Sequence, residues 1–101
     1  MLFEWHGKKA AANKKKHGVS FEEATTVFID VLSLTIPDPL HSEEEERFVI
    51  IGQSSQQRIL VVIHTDFGKR IRIISARLAT AHERKRYEER QIQSIRSSHA
   101  R

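Results

Sequence analysis

Three runs rich in β-branched residues, Arg47–Gly52, Arg58–Thr65 and Lys69–Ala76, are joined by two short connections. One is Gln53-Ser54-Ser55-Gln56-Gln57. The other is Asp66-Phe67-Gly68, with glycine where a tight hairpin needs a positive φ. Parallel neighbours need a crossover of a dozen or more residues, so links this short make the three strands an antiparallel meander. A chain of 101 residues encloses one core. The meander must therefore share that core with the segments flanking it.

Those segments read as helices. Leu2-Phe3-Glu4-Trp5 alternates as a short strand would, and Lys8–His17, rich in alanine and lysine, favours helix up to Gly18, a left-handed C-cap candidate. Ser20 and Glu23 have capping-box spacing, with Val19 placed to staple onto Ala24. The helix they open carries Phe21, Ala24, Val27, Phe28 and Val31 at helical period, so this face is expected in the core. Leu32–Ile36 reads as a short strand ended by Pro37-Asp38-Pro39, and His41–Glu46 as an acidic loop. Thr80-Ala81-His82-Glu83 is a second capping box, opening a last helix through about Tyr87 or beyond. The expected class is α+β: an antiparallel meander with two N-terminal helices and one C-terminal helix. Residues 1–90 form the domain, and residues 91–101, with little to bury, are a tail expected to fray.

Alternation sorts the sheet into two faces. Phe48, Ile50, Ile59, Val61, Ile63, Ile71 and Ile73 share an apolar face expected to pack on the first two helices. The other presents Arg47, Val49, Ile51, Arg58, Leu60, Val62, His64, Arg70, Arg72 and Ile74. An apolar centre ringed by arginines suits a partner better than water.

Charge is segregated along the chain. Residues 1–18 hold five lysines and one glutamate, residues 19–46 eight acidic residues and no lysine or arginine, and residues 47–101 twelve basic and four acidic residues. The densest basic stretch, KRIRIISARLATAHERKRYEER from Lys69 to Arg90, points to a polyanion, RNA foremost. There is no cysteine, hence neither a disulfide framework nor a thiolate zinc site. Ile59–Ile63, the longest apolar run, is far short of the roughly 20 residues that cross a bilayer. The start, Met-Leu-Phe-Glu-Trp-His, is charged where a secretory leader is apolar. A cytoplasmic setting without membrane contact is expected.

"HGVSFEEA" at His17–Ala24, "IPDP" at Ile36–Pro39, "EERF" at Glu45–Phe48, "IRIISAR" at Ile71–Arg77 and "ERKRYEE" at Glu83–Glu89, in this order, resemble the BrnT family of bacterial type II toxins. The chain departs from it at His6-Gly7, where members often carry Asp-Pro, an N-cap and a first-turn proline. The resemblance implies a RelE-like fold and a ribonuclease that arrests translation. It also implies a BrnA-type antitoxin, forming a hetero-oligomer that binds the promoter of the pair; promoter DNA is then a target of the complex only.

RNA cleavage by the 2′-hydroxyl needs no cofactor, only charge stabilisation and proton movement. Arg47, Arg58, Arg70, Arg72 and Arg77 are the candidates to grip phosphate, with Arg70 and Arg72 at the reacting group. Strict alternation turns Arg77 toward the core, but it lies at the strand end. His64 is the leading acid or base by its ordinary titration range. Glu83 and Tyr87 are the others, each with a structural role open to it, as capping partner and as helix anchor. The glutamates of 43–46 and the scattered histidines lack metal-ligand spacing, so no metal or other cofactor is expected. Two rival readings remain: a non-catalytic nucleic-acid binder, and a protein-docking face for the antitoxin at Leu60, Val62 and Ile74.

Overall fold

The computed structural model describes residues 1–38 and 45–99, the side chains of 97–99 excepted. Pro39 and most of the expected acidic loop lie outside the described residues, Glu45 and Glu46 being the described part of that loop. The chain opens with strand β1, Leu2–Glu4, then helix α1, Gly7–His17, which ends as Gly18 enters the left-handed region at φ 71°. Helix α2, Phe21–Thr25, is capped by Ser20, whose hydroxyl accepts the Glu23 N–H at 3.0 Å. Here the expected box is only half built. The Glu23 carboxylate accepts from Ser54 Oγ at 2.7 Å and Arg58 Nε at 3.0 Å, and Arg58 Nη2 grips its other oxygen.

α2 passes into one 3-10 turn, Thr26–Ile29, and stops before Val31. Val31 is 89% exposed, so the expectation that it belongs to the core is corrected. The cause is Asp30, whose carboxylate accepts the Leu32 N–H at 3.0 Å and turns the chain out of the helix.

Strands β2 (Leu34–Pro37), β3 (Arg47–Gln53), β4 (Ile59–Asp66) and β5 (Arg70–Leu78) run antiparallel, neighbour to neighbour. β1 joins β5 in parallel and completes a sheet of order β1-β5-β4-β3-β2. The β4–β5 hairpin closes on Gly68 at φ 82°, its N–H donated to Asp66 Oδ1. Helix α3, Ala81–His99, continues through the segment expected to fray, although Ile92 and Ile95 are 50% and 59% exposed.

The register corrects the sorting of β4. Residues paired across an antiparallel sheet share a face. Phe48 pairs with His64, Ile50 with Val62 and Gly52 with Leu60. Leu60, Val62 and His64 therefore face the core under α1 and α2, with Ile50, Ile71, Ile73, Val19, Phe21, Ala24 and Val27. Ile59, Val61 and Ile63 take the opposite face, where Val61 and Ile51 pack under Ala79, just before α3, and Tyr87 of α3. Residues 59–63 are apolar throughout because their inner side lies under α1 and α2 while α3 covers the outer side at Val61, leaving no alternation to read.

A bulge sits in β5. Ile63 pairs with Ser75 and His64 with Ile73, so Ile74 has no partner of its own. From there the parity of β5 reverses: Ile73 and Ala76, three apart, both line the core, while Arg72 and Arg77, five apart, both face α3. Strict alternation had turned Arg77 the other way.

β1 covers the edge of β5 only as far as Arg72. Beyond it Asn13 of α1 stands in for a strand, donating to Ala76 O at 2.8 Å and Val19 O at 3.0 Å and accepting the Ala76 N–H at 3.2 Å. Gly52 marks another close approach: a Cβ there would lie 3.1 Å from Ser33 Cβ and 3.3 Å from Val27 O. Asn13→Ala would strand three buried backbone groups at about 1 kcal/mol or more each, for a total loss of about 2–4 kcal/mol. Urea denaturation measures it, and an unchanged midpoint would deny Asn13 its edge role.

Candidate nucleic-acid interface

The face under α3 is only partly roofed by it. α3 covers the end of the sheet near Val61 and Ile51, held there by Tyr87, which is 1% exposed and donates its hydroxyl to Asp30 Oδ2 at 2.5 Å. The same oxygen accepts the Gln53 N–H at 2.8 Å. Asp30 thus ties β3, the turn before β2 and α3 together. Burial first, then the Asp30 carboxylate, pushes the Tyr87 hydroxyl up to about 12. Of the two roles open to Tyr87, the structure builds the anchor.

Beyond α3 no described helix covers this face, and one row crosses it: Arg47 pairs with Thr65, Thr65 with Arg72, and Arg72 with Glu4. Arg72 Nη2 donates to Glu45 Oε1 at 2.5 Å, and Arg47 Nη2 lies 3.8 Å from the same oxygen. The Arg72 guanidinium also sits 5.7 Å over the Phe67 ring. Thr65, between the arginines, is fully buried, and its hydroxyl has no hydrogen-bond partner among the described residues. Arg70 is at the margin, 63% exposed and 3.9 Å from Glu4. The row is an anion seat holding a carboxylate.

Arg77 lies four residues further along the sheet, opposite Val61 rather than Thr65, a separation of about 13 Å. Its guanidinium donates to both oxygens of Glu83, at 2.7 and 2.9 Å. Glu83 also completes the capping box, accepting from Thr80 N at 2.8 Å while its own N–H donates to Thr80 Oγ1 at 3.2 Å. Arg77, above all, holds the Glu83 carboxyl down to about 2.

The remaining candidates lie elsewhere. His64 is 3% exposed in the core, 4.8 Å edge-on from the Phe28 ring and stacked on Phe48 at 5.8 Å. Burial lowers its tendency to protonate. Arg58 is committed to Glu23 and to Gly18 O at 3.1 Å, at the far end of β4. Leu60 and Val62 are wholly buried and offer no docking surface, whereas the bulge residue Ile74 is half-buried. Sequence reasoning missed Glu45, Thr65, Asn13 and Asp30. For Glu45 a signal existed: it stands two residues before Arg47, the spacing that puts two side chains on one face of a strand.

Fold and surface together define a small α+β protein whose sheet carries a face of arginines paired with carboxylates of its own chain, flanked by a helix bearing Arg84, Lys85, Arg86 and Arg90 on its exposed side. The family model for BrnT, the ribonuclease toxin of type II toxin–antitoxin systems, matches residues 5–83, and the chain belongs to that family. Membership brings an antitoxin as partner and RNA as target. The 1.1 Å crystal structure of the Brucella abortus ribonuclease toxin BrnT superposes with a TM-score of 0.61 at 23% identity. The match covers 79% of this chain and 99% of that one. No curated relative matches the sequence significantly. Among the described residues no helix is long and apolar enough to cross a membrane, and no three His, Asp or Glu side chains group as metal ligands would.

Glu83 supplies a pH test. A carboxyl lowered on folding stabilises the chain above its unfolded value, near 4.5, and that contribution is lost as pH falls toward about 2. Denaturation midpoints followed from pH 5 downward should therefore drop more steeply in the native protein than in Glu83→Gln. Parallel curves would contradict the pairing with Arg77.

Proposed function

We propose that the open face is the active site of a metal-independent endoribonuclease. Arg47 and Arg72 grip the scissile phosphate, the Thr65 hydroxyl donates to one of its oxygens, and Arg77 steadies a neighbouring phosphate. Glu45, displaced from Arg72 by the incoming phosphate yet held beside it, accepts the proton of the 2′-hydroxyl. That oxygen attacks phosphorus, and the 5′-oxygen leaves with a proton from water, whose hydroxide takes the proton back from Glu45, giving a 2′,3′-cyclic phosphate and a free 5′-hydroxyl. The arginines stabilise the charge gathering on the phosphate, and the carboxylate supplies the base. The observation that carries the reading is the convergence of Arg47 and Arg72 on one carboxylate oxygen, with Thr65 between them in the row and its buried hydroxyl without a partner among the described residues. His64, enclosed by aromatic rings, and Tyr87, committed to Asp30, have no part in the proton transfers.

Cleavage of messenger RNA would arrest translation in the cytoplasm. A BrnA-type antitoxin would neutralise the toxin by covering this face, using the half-buried Val49, Ile63 and Ile74 as its apolar footing. The resulting hetero-oligomer, rather than the toxin alone, would bind promoter DNA.

Incubating antitoxin-free protein with end-labelled RNA in EDTA tests the reading. Cleavage should proceed, and Arg72→Ala should slow it by about 10²-fold or more. Glu45→Gln should slow it by about 10²–10⁴-fold. Intact RNA with the native protein, or full activity in Glu45→Gln, would contradict the mechanism.

A further inference from the structure

α1 carries a cationic surface that the site does not use. Lys8, Lys9, Lys14, Lys15 and Lys16 are all exposed, and none forms an ion pair with a described carboxylate. The sheet arginines differ: Arg47, Arg58, Arg70, Arg72 and Arg77 each lie within 4.0 Å of a carboxylate. The helix dipole does not favour its first two lysines. Lys8 and Lys9 stand in the first turn, which has no acidic residue, and the N-cap His6 makes no side-chain cap, so positive charge meets the positive end of the helix dipole. Lys8 and Lys15, like Lys9 and Lys16, are seven apart, two turns along one face and roughly 10.5 Å from one another.

The inner face of α1 is fixed by Asn13 on the backbone of Ala76, next to Arg77 in β5. The lysine helix therefore runs along the edge of the strand that carries Arg72 and Arg77. The two sets of charges lie on opposite faces of the sheet, with that edge between them. No arginine or aromatic residue interrupts the helix, so its chemistry is that of point charges: it meets phosphates and reads no base.

We propose that α1 is a second RNA-binding surface, holding the phosphate backbone of the substrate beyond the cleaved segment irrespective of sequence. The proposal rests on the ribonuclease reading for the identity of the polyanion. Its consequence is a preference for long RNA over short.

The test compares native protein with a Lys8→Gln, Lys9→Gln, Lys15→Gln, Lys16→Gln variant and its Lys→Arg counterpart, each checked for folding by thermal unfolding. Binding to a tetranucleotide and to an RNA of about 30 nucleotides, longer than one small domain spans, is measured by fluorescence anisotropy across a salt series. Native protein should favour the long RNA, with affinity falling steeply as salt rises. The Gln variant should lose at least 10-fold of that preference and flatten the log–log salt slope by up to about 0.7 per lysine in contact. The Arg variant should keep both. A Gln variant with native length preference and slope would overturn the proposal. Absence of cleavage of either RNA by native protein would count against the ribonuclease reading alone, because the anisotropy measurement does not depend on turnover.

Discussion

One unpaired residue, Ile74, organises the open face. Regular pairing would put Arg72 and Arg77 on opposite sides of β5, one of them in the core; the bulge places both with Arg47 on the side facing α3. The same reversal turns Ala76 inward, small enough to let α1 approach and present its backbone to Asn13. Packing on one side of the sheet and charge on the other are thus set by a single local irregularity, a common use of bulges near sites.

Holding several arginines on one sheet face carries an electrostatic cost, and the fold offsets it by bringing a carboxylate to each from a different element. Glu45 arrives from the segment before β3, Glu83 from the first turn of α3 and Glu4 from β1. These pairs differ in kind. Glu83 is bound by both Arg77 and the capping box, which suits a structural tie. Among the described residues Glu45 is held by side chains alone, which suits an exchangeable occupant. The lysines of α1 have no such partners among the described residues, and that contrast separates them from the arginines of the sheet.

Much of this was legible beforehand. The hairpin glycine, both capping residues, the left-handed Gly18 and the three strands of the meander each follow from local chemistry that the fold does not override. The face of β4 was not legible, because a run such as Ile59–Ile63, with its inner side under α1 and α2 and Val61 on its outer side under α3, has no period for the eye to lock onto. Nor was the bulge, which no residue in "IRIISAR" announces. His64 was misplaced with its strand. Glu45 hid in an acidic run whose other members gave no reason to single it out, and Asn13 in a lysine helix whose inner face becomes clear only once β5 lies beside it.

The central claim is that Arg47, Arg72 and Glu45 form the seat of the reacting phosphate. A crystal structure with a 2′-O-methylated RNA oligonucleotide, which binds but lacks the attacking hydroxyl, tests it most directly. The account predicts a phosphodiester between Arg47 and Arg72 within hydrogen-bond reach of Thr65 Oγ1, with Glu45 moved from Arg72 to the neighbouring 2′-oxygen. RNA bound elsewhere while Glu45 still bridges the two arginines would contradict it.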